Sequence, residues 1–150
     1  MYSERVNLRT LLCYGYGSLA VYIAPMITSF FLNPFLLEVA KIQPAAAGSI
    51  LLFGNIFDAF SDPLVGFLSD KTPWGPRRIS WIAFATIPFV FFYIILWIVP
   101  GFSENGLVAY YTIIYISRTL ALTCITVPYN SLSAEITQSY DERSRLVGSR

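Results

Sequence analysis

Histidine is missing from all 150 residues, cysteine occurs twice, and only 13% of the chain is charged. Without His the chain lacks the commonest proton shuttle and metal ligand, and no Cys/His spacing resembles a zinc site. Cys13 and Cys124 both fall in apolar segments, where buried free thiols are expected. Soluble domains carry roughly 25% charged residues. The deficit here, with 55% hydrophobic residues and a mean hydropathy of +0.58, points to a membrane protein. A net charge of +1 gives no reason to expect nucleic acid or another acidic partner. No phosphate loop, nucleophile elbow or metalloprotease helix occurs, and no nucleophile–base pair is visible. Neither an enzyme nor a cofactor is therefore expected. No small-residue cleavage site follows the polar start at 1–10, so the first apolar segment reads as an uncleaved span.

What the chain does have is four apolar runs, each about as long as the 20 residues that cross a bilayer. They cover roughly 11–32, 45–68, 79–99 and 107–129. The first is rich in small residues at its start, which let helix backbones approach in lipid. Pro25 should kink it, Asn33-Pro34 marks its far end, and Glu38 and Lys41 lie in the link that follows. The link 69–78 is short and basic. The third run carries no charge and ends at Pro100-Gly101. The fourth holds Arg118 near its middle. Residues 89–93 and Trp97 read as lipid-facing or packing aromatics.

Eight basic residues flank the odd side of these runs: Arg5, Arg9, Lys71, Arg77, Arg78, Arg143, Arg145 and Arg150; the opposite links offer Lys41. By the positive-inside rule the N-terminus is expected to be cytoplasmic, and the expected location is the plasma (inner) membrane, as a multi-pass protein. A polar segment begins after 134, and nothing closes the fold by Arg150. The chain is therefore expected to be the N-terminal part of a longer membrane protein, partnered by the bilayer and by the remaining helices.

The central stretch is 57–71. Asp58 and Asp62 sit in what reads as a spanning helix, where a charge at the bilayer centre costs at least about 2.5–3.5 kcal/mol. Spacing of i and i+4 puts them on one face, about 6 Å apart along the axis. Two acidic oxygen donors facing one way suggest a site for Na⁺ or H⁺, and no other metal site is expected. Ser61, Thr119 and Thr123 offer the hydroxyl oxygens that hard cations prefer. The competing reading is a structural ion network in which Arg118 pairs with an aspartate. For Arg118 a tether to an aspartate and a contact to substrate both stay open, since a guanidinium in a span faces protein or a water cavity. Asp70, at a helix C-terminus where the dipole disfavours an anion, needs a cationic partner. Pro128 should bend the far end of the fourth run.

Four features together resemble the major facilitator superfamily. They are Tyr14-Gly15-Tyr16-Gly17; Asp58-Ala59-x-Ser61-Asp62-Pro63-x-x-Gly66; Trp74-Gly75-x-Arg77-Arg78; and Pro128-Tyr129-x-Ser131-Leu132 with Asp141-Glu142-Arg143. Within it they resemble the glycoside-pentoside-hexuronide:cation symporters, the group that includes melibiose permease. The resemblance implies an all-α membrane protein, with four transmembrane helices of the N-terminal six-helix bundle of a major facilitator fold. It also implies cation-coupled alternating access for a small solute, a sugar or glycoside. A lysolipid or drug-like solute is the alternative, because lysophospholipid symporters share the Asp-Ala-x-x-Asp-Pro pattern; a non-transporting scaffold is the rival from another class. Asp58 and Asp62 match the coupling carboxylates. Ser61 stands where the sugar branch often has Asn, and Thr123 matches a hydroxyl that helps to bind Na⁺. Tyr22 and Thr126 stand where sugar-recognising members carry acidic residues, which implies another mode of sugar recognition or a less polar solute. With Arg118 they are the expected substrate contacts. Gly66, Asp70, Lys71, Gly75, Arg77 and Arg78 are the expected conformational loop.

Overall fold

A computed structural model describes residues 8–71, 77–136 and 148. It is all-α, with no strand among the described residues. Four helices follow one another: α1 (Leu8–Pro34), α2 (Pro44–Lys71), α3 (Arg77–Leu96) and α4 (Glu104–Ile136). All four contain stretches long and apolar enough to cross a membrane: Tyr14–Val39, Pro44–Lys71, Ile79–Leu96 and Glu104–Ser131.

Several helix ends differ from the sequence expectation. Asn33-Pro34 does not end the first span. The helix runs through both residues and widens into a π turn at Phe35–Val39, which contains Glu38. Burial explains the continuation, because Leu32 and Leu36 are almost wholly enclosed and the turn keeps both in the core. Lys41 then takes a left-handed φ of 54°, and Ile42 N–H donates to the Leu36 carbonyl at 3.0 Å. The second helix opens on Pro44, whose missing N–H costs nothing in the first turn, and it extends past 68. Ser69, Asp70 and Lys71 are therefore helical rather than part of the link. The third helix stops at Leu96 instead of 99. Trp97 and Ile98 N–H groups reach back three residues, to the Ile94 and Ile95 carbonyls at 3.2 and 3.0 Å, and Pro100 forbids further helix. The fourth begins three residues early. Glu104 complements its N-terminal dipole, and the helix carries Pro128 in its interior and continues to Ile136.

Helix α4 is the hub. It packs extensively on α3 and on α2, while α1 meets it more lightly. Close approach to α2 is possible because Gly54 lies under the Tyr115 ring, where an added Cβ would come within 2.1 Å of Cε1. Two apolar clusters occupy opposite ends of the bundle. One joins Leu32, Leu36, Ile42, Ile50, Leu96 and Tyr111 around the α1–α2 link. The other joins Tyr14, Val21, Ala85, Ile125 and Tyr129, where Tyr14 and Tyr129 stack with centroids 5.0 Å apart. Between the clusters the interior is left to polar side chains: Thr28, Ser61, Arg118, Thr119 and Thr123 are all buried.

Candidate functional site

Helical spacing sets the first part of the site. Asp58 and Asp62 stand one turn apart on α2, the first half-buried and the second exposed. Helix α4 supplies the third group. Thr123 is buried, and its Oγ1 donates to Asp58 Oδ1 at 3.0 Å. The same hydroxyl lies against the Asp62 carboxylate. Its proton is thus committed to carboxylate, while its lone pairs stay available to a cation. Pro63 has no N–H to give the Ala59 carbonyl, so one backbone oxygen within a turn of both carboxylates loses its helical donor. Two carboxylates and a hydroxyl form an oxygen-rich cluster of the kind that suits a hard cation.

Ser61 is not brought to this cluster by its proton. Its Oγ donates to the Asp58 backbone carbonyl at 3.1 Å, and the side chain is buried. Thr126 lies one turn beyond Thr123, with its hydroxyl enclosed and without a partner among the described residues. Tyr22 is exposed and donates to Asn130 Oδ1 at 3.0 Å, linking α1 to α4.

Arg118 does not pair with either aspartate; among the described residues no ion pair joins them. Its Nη2 donates instead to Thr28 Oγ1 on α1 at 3.0 Å. Thr28 can accept because its own proton is given to the Ala24 carbonyl at 2.9 Å. From α3, the rings of Phe89 and Tyr93 lie 5.7 and 5.8 Å from the guanidinium carbon, within cation–π range. Of the aromatic run 89–93, these two therefore face inward, whereas Phe91 is exposed. Arg118 and Asp58 border one cavity of about 300 Å³, together with Thr28, Ser29, Asn33, Asn55, Tyr115 and Thr119. Asn55 and Thr28 belong to this site and were not singled out from sequence. The available signal was an amide one turn before Asp58 in an apolar run.

Gly66, expected in the conformational loop, is in α2 against Val127. Asp70 is exposed at the end of that helix, and Lys71 Nζ sits 4.1 Å over the Phe67 ring. Gly75 lies outside the described residues, as do the side chains of Cys13, Arg77 and Arg78. Cys124 is a half-buried free thiol.

Comparison with known proteins gives the family. Residues 13–150 match the family model described as MFS/sugar transport protein. An uncharacterised symporter of Synechocystis is 42% identical over 96% of this chain and 28% of its own length. The sodium-dependent lysophosphatidylcholine symporter 1 of Xenopus tropicalis is 34% identical over 98% of this chain and 28% of its own. A glucuronide carrier protein homolog of Escherichia coli is 31% identical, covering 99% and 33%. The chain thus spans about a third or less of these relatives. Four apolar helices long enough to cross a membrane, and a family match over nearly the whole chain, have one reading: the chain belongs to the MFS/sugar transport protein family of multi-pass membrane transporters.

Proposed function

We propose that this chain is the N-terminal part of a cation-coupled symporter that works by alternating access, with its site near the midplane between two helical halves. The observation that carries this reading is the junction of Asp58, Asp62 and Thr123 across α2 and α4. Two carboxylates held close in a low-dielectric site repel, and a cation between them relieves the repulsion. Na⁺ is favoured over H⁺ because the Thr123 hydroxyl adds an oxygen donor to the pair. Relatives named as sodium-dependent support the same ion.

The solute proposed is a sugar or glycoside, supported by the family description and by the glucuronide carrier homolog. The lysophosphatidylcholine symporters among the relatives support a lysolipid as the second reading. Tyr22 and Thr126 are proposed as solute contacts, and Gly66, Asp70, Lys71, Gly75, Arg77 and Arg78, in the last turns of α2 and the residues that follow it in sequence, as the segment that biases the two access states. The N-terminus is proposed to be cytoplasmic, in the plasma membrane.

The test is uptake into vesicles with imposed Na⁺ or H⁺ gradients, using the full-length protein. Asp58→Asn and Asp62→Asn should each abolish gradient-driven accumulation while leaving some solute binding. If both variants accumulate solute as the wild type does, the carboxylates are structural and the reading fails.

A further inference from the structure

Arg118 is the charged group that the cation cluster does not use. It is 4% exposed, deep in a spanning helix, where an uncompensated charge is expensive. Its partners are all neutral: one hydroxyl on α1 and two aromatic rings on α3. A guanidinium has five N–H donors in a fixed fork. One goes to Thr28, and Nε is enclosed with no partner among the described residues. The group borders a polar cavity of about 300 Å³, within the lower range of small-molecule sites. Asp58 stands on the same cavity wall and makes no ion pair with it.

We propose that Arg118 and this cavity form the subsite for an oxyanion of the transported solute, a carboxylate or a phosphate. This deepens the symporter reading and rests on it. With Asp58 ionised and no cation bound, the carboxylate repels an incoming anion. A cation at Asp58 and Asp62 cancels that charge and leaves Arg118 as the uncompensated one, so the anion binds. The two ligands then raise each other's affinity by the same factor, as linkage requires. Arg118 is suited to this because its planar fork matches a carboxylate or phosphate. The tether from Thr28 and the flanking rings hold it in place, so little side-chain freedom is lost on binding.

The test uses purified full-length protein and two pairs of probes, each matched in skeleton and differing in charge. One pair is p-nitrophenyl β-D-glucuronide against the corresponding glucoside, which reads a carboxylate; the other is lysophosphatidic acid against monoacylglycerol, which reads a phosphate. Binding is measured calorimetrically in Na⁺ and with K⁺ in its place. In Na⁺ the acidic member of one pair should bind roughly tenfold or more tightly than its neutral partner, the effect of a hydrogen bond to a charged group. Arg118→Gln should bring that ratio to about one, and Arg118→Lys should keep part of it. No acidic preference in either pair, or a preference that survives Arg118→Gln, overturns the subsite and leaves Arg118 as a tether between α1 and α4. Should Arg118→Gln not fold, the wild-type ratios and Arg118→Lys decide. An acidic preference that depends on Arg118 but is indifferent to Na⁺ supports the subsite and sinks the coupling reading instead.

Discussion

At the scale of single residues, the site depends on which way each hydroxyl proton points. Thr123 gives its proton to Asp58 and so can present lone pairs to a cation. Thr123→Ser keeps that arrangement, while Thr123→Val removes both the donor and the oxygen. The expected outcome is a rise of roughly tenfold in the Na⁺ concentration for half-maximal uptake with Val, and little change with Ser. A Na⁺ titration of uptake checks it, and equal curves for Val and wild type would remove Thr123 from the cation site. Thr126 is the opposite case. Its hydroxyl is enclosed and unpartnered among the described residues, and such a group costs about 1–3 kcal/mol. Thr126→Val should raise the thermal midpoint of the purified protein; a lowered midpoint would mean that the hydroxyl has a partner in the assembled carrier.

At the scale of elements, α2 and α4 meet through glycine. A methyl at Gly54 would fall 2.1 Å from the Tyr115 ring, whereas one at Gly66 would sit 3.6 Å from Val127 Cγ1, an ordinary contact. Tyr115 cannot shift without disturbing the cavity that it lines. Gly54→Ala should therefore destabilise the protein by about 1–3 kcal/mol through overpacking. Gly66→Ala should be neutral or slightly stabilising, since alanine is the better helix residue. Unfolding midpoints of the two variants test this, and equal midpoints would show that the α2–α4 contact is looser than described. The comparison also bears on the loop reading of Gly66: a normal transport rate in Gly66→Ala would mean that its role is helix packing alone.

At the scale of the whole molecule, apolar clusters at the two ends of the bundle enclose a polar middle. Large apolar side chains such as Phe30, Phe60, Phe84 and Ile87 face outward, as expected where lipid or further helices cover the surface. The proposed orientation rests on the basic residues on one side of the spans. In full-length protein with Cys13 and Cys124 replaced, a cysteine at Ser103 should react with an impermeant thiol reagent on intact cells, and one at Thr72 should not. Labelling at Thr72 alone would invert the topology.

Hydropathy, charge and motif spacing by themselves determined the membrane class, the four spans and the Asp58/Asp62 pair. Each of these rests on local sequence: long apolar runs, and an i, i+4 repeat that any helix converts into one face. Helix ends were less legible, because burial of Leu32 and Leu36 carried α1 past Asn33-Pro34, and burial is not a local property. Only the tertiary structure decided what holds Arg118. Sequence left it between an aspartate and the substrate, since α2 and α4 were known to hold opposite charges but not how they were turned. In the folded chain a hydroxyl from α1 and two rings from α3 hold the guanidinium, and a cavity separates it from Asp58. Contacts among three helices distant in sequence have no signature in the pattern of any one of them, which is why that cavity became visible only in the fold.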